Sequence, residues 1–422
     1  MSVSAMITDD PGAARPRVFG TPGEIAAGLF LHPAFVNTYA IETPDGLLLV
    51  DPGLGVSSDG VHAAVRRWSS APLTAAVYTH GHADHAFGLR AFLRAGDRPQ
   101  IIAQENCPRR FARYQLTHGW NARINQRQFS LPEPIFPNRF DWPTLTFRDA
   151  LVQRFGDLEV QFHAAKGETD DHCWVWVPER RMLFTGDLII WMAPNCGNPQ
   201  KVQRYPLEWA EALEAMAALD AEWLCPGHGL VVHGREAVRT VLGETARYLR
   251  VIVEQVLDRM NAGETPEAIF HAVEPDPELA RRPYLGAFYD HPKFIVRNLL
   301  RLWGGWWNGN AGDLLPATHE AQAAEIAGLA GGADALVRRG RDQLAAGELE
   351  LAAHLAEWAT RAAPELRAAQ ELKRDVYDRR WDVEGSLMAK GIYRAAANDA
   401  RRALGEEPLP PASGMSFGTQ ES

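Results

Sequence analysis

Apolar positions in about the first 240 residues follow two periods in turn, one typical of strands and one typical of helices. The run 37-NTYAIETPDGLLLVDPG-53 contains two apolar stretches separated by PDG, which predicts a β-hairpin. A helical run, 61-VHAAVRRWSS-70, and a strand-like run, 74-TAAVYTH-80, come next. Strands separated by helices, with polar residues at the strand ends, predict a layered α/β fold.

The alternation continues to about residue 235 and then gives way to helical spacing. The later runs of the first part are 158-LEVQFHAAK-166, 173-CWVWV-177, 182-MLFTGD-187, the helical 207-LEWAEALEAMAALD-220 and 222-EWLCPGHG-229. Beyond this point the spacing is helical in 236–263 and in 333–364. The second of these segments predicts a helical hairpin with Gly347 at the corner and Pro364 closing its second helix.

Length and composition are those of a soluble protein with more than one domain. The chain has 422 residues, of which 46% are apolar and 23% are charged. This length favours two domains, or three. We predict an N-terminal arm at residues 1–19, the α/β domain at 20–240, an all-α helical domain at 241–405 and a flexible tail at 406–422.

Charge and cysteine content argue against several functional classes. The formal charge is −10, from 43 basic and 53 acidic residues. It disfavours a nucleic-acid partner, because duplex binding needs a basic surface. No run approaches the ~20 apolar residues of a membrane span, and the N-terminus has no signal-peptide pattern. The four cysteines lie far apart, which predicts reduced thiols in a cytoplasmic protein.

The strongest chemical signal is 79-THGHADH-85, which directly follows an apolar strand. A tight loop at a strand end can direct His80 and His82 to one centre, and Asp84 and His85 to another. Imidazole and carboxylate are ligands that zinc and similar divalent metals accept. A metal site needs further ligands from other strand ends, and the candidates that follow apolar runs are Asp51, Asp187 and His228.

The order of these polar residues resembles the metallo-β-lactamase fold superfamily over about residues 20–235. The matching positions are Asp51, the HxHxDH motif, the loop 167-GETDDH-172, Asp187 and His228. The resemblance implies an αββα sandwich with two metal ions at one edge of the packed sheets. It implies that the first metal is held by His80 and His82, the second by Asp84, His85 and His228, and both by Asp187. Asp51 would orient the metal-binding loop, and we assign catalytic roles to Asp84 and Asp51.

Residue 168 is where most members of the superfamily carry a histidine as the third ligand of the first metal. Glu168 is therefore either a lost ligand or a carboxylate that replaces imidazole. We favour replacement, because carboxylates also bind zinc and because the loop is similar to that of the alkyl sulfatases, which carry a glutamate there. On this interpretation Glu168 completes the first metal site.

The glutamate lowers the charge of the centre. Two divalent metals carry four positive charges, while Glu168, Asp84 and Asp187 carry three negative ones, so the net charge is +1 instead of the +2 that a histidine would leave. An anionic substrate would then need polar and basic side chains nearby. The segment 195-NCGNPQKVQRYPLEW-209 supplies three candidates for substrate binding, Asn195, Lys201 and Arg204. The spacing from Arg204 to Trp209 resembles that of the alkyl sulfatases.

The helical half also resembles this family. The segment 284-YLGAFYDHPKFIVRNLLRLWGGWWNGNAGDLLP-316 is similar to the alkyl sulfatase dimerisation domain, which implies a homodimer or a larger homo-oligomer. We interpret Trp303, Trp306 and Trp307 as core anchors of this domain. Of the remaining polar residues, we interpret Arg109, Arg110 and Arg113 as an exposed helix face, and His163 and His172 as packing residues.

Together these features predict a binuclear metal-dependent hydrolase that cleaves alkyl sulfate esters with a metal-bridging hydroxide. The alkyl chain could lie against 188-LIIWMAP-194. Zinc is the first choice of metal, with manganese or iron as alternatives because glutamate is a harder ligand than histidine. The alternative small-molecule substrate is another ester, a lactone, a phosphodiester or an activated ether, since the fold does not fix the function. A non-catalytic scaffold is the third hypothesis.

Overall fold

The structure is a computed structural model that describes residues 2–410. Within these residues it contains fourteen strands: β1 (Ile7–Thr8), β2 (Gly23–Ala26), β3 (Leu29–Pro33), β4 (Asn37–Thr43), β5 (Gly46–Val50), β6 (Leu73–Val77), β7 (Gln100–Gln104), β8 (Leu145–Phe147), β9 (Ala150–Phe155), β10 (Leu158–Ala164), β11 (Cys173–Val177), β12 (Met182–Gly186), β13 (Trp223–Pro226) and β14 (Val231–His233).

The α-helices of the described residues follow the predicted order. They are α1 (Ser58–Trp68), α2 (Ala83–Ala86), α3 (Arg90–Arg94), α4 (Asn106–Leu116), α5 (His118–Phe129), α6 (Pro206–Ala217), α7 (Arg235–Asn261), α8 (Pro266–Ala272), α9 (Pro277–Ala280), α10 (Pro292–Gly304), α11 (His319–Ala330), α12 (Ala333–Ala346), α13 (Leu349–Ala362), α14 (Arg367–Val383) and α15 (Leu387–Leu404).

The strands form two seven-stranded sheets that enclose one apolar core. The first sheet has the order β2-β3-β4-β5-β6-β7-β8, and the second has the order β1-β14-β13-β12-β11-β10-β9. Buried side chains of both sheets, among them Val50 and Val77 of the first and Phe162 and Phe184 of the second, belong to one core cluster. Helix α1 packs against β3, and α7 packs against β13 and β14. The predicted αββα sandwich followed by helices is therefore confirmed.

The local predictions from apolar spacing are confirmed where the structure describes them. The hairpin at PDG joins β4 to β5 with Thr43 opposite Gly46. The second hairpin joins α12 to α13, and Gly347 ends α12 in the left-handed conformation that favours glycine. Pro364 follows the end of α13. From Arg235 onward, the described residues contain helices and no strand.

The described residues form two compact units. The first comprises the residues up to His118 together with Pro137–Gly305, and the second comprises Gly119–Phe136 together with the residues from Trp306 onward. The second unit has small cores of its own around Leu336 and around Leu372. The predicted domain boundary at residues 240 and 241 stays a prediction.

The two predicted terminal segments have defined contacts where they are described. In the predicted N-terminal arm, β1 pairs with β14 as the edge strand of the second sheet. In the predicted tail, the backbone N–H of Leu409 donates to the Asn398 side chain over 2.9 Å. The remainder of that tail, residues 411–422, lies outside the described residues.

The prediction that three tryptophans anchor a core is wrong for this chain. Trp303, Trp306 and Trp307 are 37%, 73% and 48% exposed. The reason is that every residue from 303 to 320, which span the end of α10, the connection to α11 and the start of α11, is exposed, so the three indoles enter no core of the described chain. The four cysteines are free, as predicted, and all four are buried. No helix among the described residues combines the length and the apolar character needed to cross a membrane.

A buried carboxylate ties the loop after β12 to the non-helical connection that precedes α10. Asp290 is fully buried, and its Oδ2 accepts a hydrogen bond from the backbone N–H of Gly197 over 2.6 Å. Its Oδ1 accepts another from His291. Gly197 lies so close that an added Cβ would be 2.1 Å from the carbonyl carbon of Phe294. Burial raises the pKa of Asp290 to about 7, although both N–H donors oppose the shift.

We predict that Asp290 makes the stability of the first unit depend on pH. The carboxyl group has a higher pKa when folded than when unfolded, so its favourable contribution is complete below about pH 4 and is lost as the pH rises through about 7. The free energy of unfolding of the wild type relative to Asp290→Asn should therefore fall between these limits, by at most roughly 1.4 kcal/mol per pH unit.

Denaturant titrations with excess chelator measure this difference. The matched control is Asp258→Asn, which removes the same charge from an exposed position on α7. A difference between wild type and Asp290→Asn that is constant from about pH 5 to about pH 8 would show that Asp290 is ionised throughout.

Candidate metal centre

The predicted ligands come together where strands of both sheets end. His80, His82, Asp84 and His85 follow β6, and Asp187 and His228 directly follow the region of β12 and β13. Glu168 lies in the connection between β10 and β11. Because all these side chains lie in segments that follow strands, with Asp84 and His85 in α2, residues up to 148 positions apart in the sequence converge on one edge of the sandwich.

Four of these side chains form the first cluster, which consists of His80, His82, Glu168 and Asp187. The Nε2 atom of His80 lies 2.8 Å from Nδ1 of His82. The Oε2 atom of Glu168 lies 3.1 Å from Nδ1 of His82 and 3.4 Å from Nε2 of His80. The ligand atoms of the four residues all lie within 4.8 Å of one another. The structure thus directs Glu168 towards the histidines, as the replacement hypothesis requires.

The second cluster consists of Asp84, His85 and His228, and Asp187 connects it to the first. The Oδ1 atom of Asp187 lies 3.1 Å from Nε2 of His85 and 3.2 Å from Nε2 of His228. Its other oxygen, Oδ2, lies 3.8 Å from Nε2 of His80. Each carboxylate oxygen of Asp187 therefore faces a different cluster, which is the arrangement expected of a shared ligand.

The side chains fit two divalent cations on their own chemistry. Three buried atoms that face the clusters have no hydrogen-bond partner in the described chain: Oε2 of Glu168, Nε2 of His85 and Oδ1 of Asp187. A buried polar atom without a partner costs about 1–3 kcal/mol, and a cation that accepts nitrogen and oxygen ligands would satisfy all three. The clusters together indicate two divalent metal ions.

The pKa shifts of the first cluster favour ligand-ready forms. Burial lowers the pKa of His82 to about 4, although the Glu168 carboxylate opposes the shift. Burial alone would raise the pKa of Glu168, but the Arg204 guanidinium and the neighbouring histidines hold it well below its usual range. A neutral imidazole and an ionised carboxylate are the forms that bind a metal.

The histidines of the second cluster behave differently, because three carboxylates act on His85. Burial opposes protonation of His85, but Asp187, Asp51 and Asp84 together raise its pKa well above the ordinary value. The pKa of His228 is also raised, mainly by Asp187 against the effect of burial. Metal binding here must therefore displace protons from imidazole, which makes binding weaker at low pH.

Asp51 contacts the segment that carries the histidine motif. Its Oδ1 accepts from the backbone N–H of Thr79 over 2.8 Å, and its Oδ2 lies 2.8 Å from Nδ1 of His85. The Thr79 hydroxyl donates to Oδ2 of the same carboxylate. Asp51 has a φ of 52°, a left-handed conformation that is uncommon outside glycine. In this conformation the Asp51 carboxylate contacts Nδ1 of His85. The other ring nitrogen of His85, Nε2, therefore faces the second cluster.

His172 contacts two residues of the first cluster, although the sequence indicated only a packing role. His172 is buried, and its ring stacks on His80 with centroids 4.7 Å apart. Its Nε2 accepts from the backbone N–H of Asp187 over 3.1 Å. His172 therefore positions two ligands, in addition to packing. Its place in the loop 167–172, four residues after Glu168, was the signal for this role.

The prediction that Arg110 lies on an exposed helix face is wrong. Arg110 is 3% exposed, and its Nε donates to Oδ1 of Asp171 over 2.6 Å. The other oxygen of Asp171 accepts from the backbone N–H of Gly81, between two ligands, over 2.8 Å. The helical pattern contained the signal, because Arg110 falls on the buried face of α4 with Cys107, Phe111 and Tyr114. Arg109 is exposed, as predicted.

The three predicted substrate-binding residues lie beside the first cluster. Asn195 and Arg204 are buried, and both contact Oε1 of Glu168. Lys201 is half-buried. Burial and the Arg204 guanidinium lower the pKa of Lys201 to about 8, against the opposing carboxylates of Glu168 and Asp84. Burial, followed by the Glu168 and Asp84 carboxylates, also raises the pKa of Tyr289, a nearby phenol that the sequence analysis missed.

The segment proposed to receive an alkyl chain offers little open surface. Leu188, Ile189, Trp191 and Ala193 are buried in the main core, and Met192 alone in 188–194 is half-buried. The Trp191 indole donates to the carbonyl of Leu230. The prediction is wrong for most of this segment, because a fully apolar run after a buried strand continued into the core.

Comparison with known families agrees with both halves of the chain. Residues 32–228 match the metallo-beta-lactamase superfamily, and residues 265–403 match the alkyl sulfatase dimerisation family. The fold resembles the solved structure of Pisa1, a stereoselective inverting sec-alkylsulfatase from Pseudomonas sp., with a TM-score of 0.82. That match covers 93% of this chain and 67% of the other at 21% identity, so it concerns the fold alone.

Two of the curated relatives are alkylsulfatases of Pseudomonas species. A linear primary-alkylsulfatase is 30% identical over 362 residues, which cover 79% of this chain and 68% of the relative. An (R)-specific secondary-alkylsulfatase is 23% identical over 408 residues, and this chain spans only 61% of its length. The chain therefore belongs to the alkylsulfatase family of the metallo-β-lactamase superfamily and carries an alkyl sulfatase dimerisation domain.

Proposed function

We propose that the protein is a binuclear metal-dependent hydrolase of alkyl sulfate esters. The observation that carries the proposal is the pair of ligand clusters that share Asp187, in a chain of the alkylsulfatase family. We propose zinc as the metal, with manganese or iron as alternatives, because the first cluster combines two imidazoles with carboxylates. When bound, the two ions would activate a water molecule and offset negative charge on the substrate.

The residues of the two clusters would divide the two ions between them. His80, His82 and Glu168 would hold the first ion, Asp84, His85 and His228 the second, and Asp187 both. Asp51 is a positioning residue, since it contacts His85 and Thr79. Asp84 is the carboxylate of the second cluster that is partly open to solvent, which supports a catalytic role in contact with an entering water molecule.

Lys201, Arg204 and Asn195 would bind the sulfate group. Lys201 carries the most weight in this proposal, because it is half-buried and lies close enough to Glu168 and Asp84 for both to influence its pKa. An ammonium group forms a charge-assisted hydrogen bond with a sulfate oxygen. Arg204 already donates to Glu168 and to the Asn195 carbonyl, so only its remaining donors are available to a substrate.

Other substrates define the competing hypothesis. A carboxylic ester, a lactone, a phosphodiester or an activated ether would use the same clusters, because the superfamily fold is not tied to one reaction. This chain spans 61–68% of the two alkylsulfatases compared above, and the alcohol part of the substrate therefore needs its own assay. A scaffold role would require that the clusters bind no metal.

Two further proposals concern cellular context. We propose a cytoplasmic location, which the four free buried cysteines support. The expectation that the protein has no nucleic-acid partner rests on its formal charge of −10 and stays a prediction.

Hydrolysis in oxygen-18-labelled water tests the reaction and its position together. Water and an alkyl sulfate monoester give an alcohol, sulfate and a proton, and the label enters the alcohol if the C–O bond breaks or sulfate if the S–O bond breaks. We expect the metal-loaded protein to release sulfate from a series of alkyl sulfates and to label one product. Mass spectrometry of both products measures the label.

Asp187→Asn is the matched control for this assay, because it keeps the size of the shared ligand and removes its charge. It should lower the rate at least about 100-fold. No sulfate release from any chain length, together with turnover of a lactone, carboxylic ester or phosphodiester, would favour the competing hypothesis.

We predict that Lys201→Met raises the KM for an anionic alkyl sulfate by roughly 10–100-fold, as expected for a lost hydrogen bond to a charged group. In the wild type, KM should also rise above about pH 8, because Lys201 then loses its proton. Lys201→Arg should remove this rise, since guanidinium stays charged. Steady-state kinetics from about pH 6 to about pH 10 provide the measurement.

Lys166→Met is the control for Lys201→Met, because it removes a lysine charge from an exposed position outside the clusters. An equal change in KM for both variants would mean that Lys201 acts only through net charge.

The match to the dimerisation family supports a homo-oligomer, and we propose a homodimer or a larger assembly. Light scattering should give a mass of at least twice the chain mass of 46.7 kDa. Leu315 is 91% exposed within the matched segment and Leu116 is 86% exposed outside it. Leu315→Ser should therefore weaken assembly more than the matched Leu116→Ser, and a monomeric wild type would contradict the proposal.

A further inference from the structure

The two oxygens of Glu168 have different partners. Oε2 faces the first cluster, 3.1 Å from Nδ1 of His82 and 3.4 Å from Nε2 of His80. Oε1 faces the loop after β12, where Nη1 of Arg204 lies 2.5 Å away and the Asn195 amide donates a hydrogen bond. Glu168 and Arg204 are each 3% exposed, and Asn195 is 5% exposed. One oxygen is thus available to a metal, and the other is held by two donors.

The position of Arg204 is itself fixed by the fold. Its Nη1 also donates to the carbonyl of Asn195 over 3.0 Å. Its own backbone carbonyl accepts from the side-chain amide of Asn298 on α10 over 2.9 Å. Both the side chain and the backbone of Arg204 are thus held by hydrogen bonds. Its guanidinium is a permanent positive charge beside Glu168, because arginine does not lose its proton in proteins.

This charge alters the electrostatic balance of the centre. Two divalent ions and the three carboxylates that would hold them have a net charge of +1. With a histidine at position 168 the net charge would be +2. Adding the Arg204 guanidinium restores +2 within the same buried region. Inside a protein, where the effective dielectric constant is low, a charge in contact with a ligand is felt strongly by the whole cluster.

We propose that Glu168 and Arg204 act as one unit, in which Arg204 is a positioning residue that replaces the charge lost with the histidine and holds Glu168 to a single metal-binding oxygen. The inference rests on the proposed function, because it assumes that the clusters bind two ions. It assigns Arg204 first to the ligand and only second to the substrate.

The pairing explains why a histidine would not simply fit at position 168. A metal-bound neutral imidazole has one remaining N–H, and this donor would face the donors of Arg204. The centre would also gain an uncompensated buried charge, which is strongly unfavourable. Removing the guanidinium as well would relieve both problems. Asn195 could then rotate to offer Oδ1, a buried acceptor that has no partner in the described chain.

A double-mutant cycle on metal binding tests the unit. The variants are Glu168→His, Arg204→Met and the double variant, and the readouts are zinc ions per chain by elemental analysis and the dissociation constant against a competing chelator. Glu168→His alone should weaken one of the two ions by roughly 10–100-fold. Adding Arg204→Met should recover about tenfold or more, whereas the same change beside Glu168 should give no comparable gain.

Two further variants separate charge from shape and place. Glu168→His with Arg204→Lys keeps the positive charge and should bind zinc as poorly as Glu168→His. Arg239→Met removes an exposed guanidinium from α7 that pairs with Glu236 instead of Glu168, and its effect should be the same beside histidine and glutamate. If Glu168→His alone is too unstable to purify, the double variant should still yield folded, zinc-binding protein.

The outcomes distinguish this inference from the proposed function. A wild-type chain that binds fewer than two ions would refute the proposed function. Two ions in the wild type, combined with independent effects of the two substitutions or a double variant no better than Glu168→His, would overturn only the pairing of Glu168 with Arg204.

Discussion

Seven titratable side chains are held close to one another at the edge of two packed sheets. The main structural demand on the first unit is to keep these groups together. Such groups repel or titrate one another unless cations or hydrogen bonds compensate them. The position of Asp187 is the most restricted, because its two oxygens must face both clusters. The strand ends supply the necessary rigidity, since β12 and β13 are buried along nearly their full length.

Around the ligands, each side of the centre has its own support. Asp51 orients His85, the carbonyl of Phe35 lies 2.5 Å from Nδ1 of His228, and Asp171 holds the backbone between His80 and His82. These contacts come from separate parts of the described chain and leave Oε2 of Glu168, Nε2 of His85 and Oδ1 of Asp187 without a hydrogen-bond partner there. The arrangement is therefore organised for ions before they bind, which lowers the reorganisation that catalysis would require.

The sequence was sufficient where the signal was local. A histidine motif after an apolar strand, a Gly at a helix corner and an Asp after a strand each express a rule that acts over a few residues, so the side chains that meet in the two clusters and the helical hairpin could be predicted. The exposure of the three tryptophans could not be predicted, because burial there depends on which elements meet. The burial of Arg110 could have been read from the apolar face of α4, but its partner Asp171 could not. The contact between Glu168 and Arg204 joins residues 36 positions apart, and spacing alone gave no sign of it.

The attachment of the loop after β12 to later helices also matters during synthesis of the chain. All seven ligands have been translated once His228 has left the ribosome. The backbones of Gly197 and Arg204, however, form hydrogen bonds with the side chains of Asp290 and Asn298. These two residues follow His228 by some 60 or more positions. A nascent chain can thus hold every ligand while the loop beside Glu168 is still unsupported. Loading with metal during translation would meet a different site from the one that the finished chain presents.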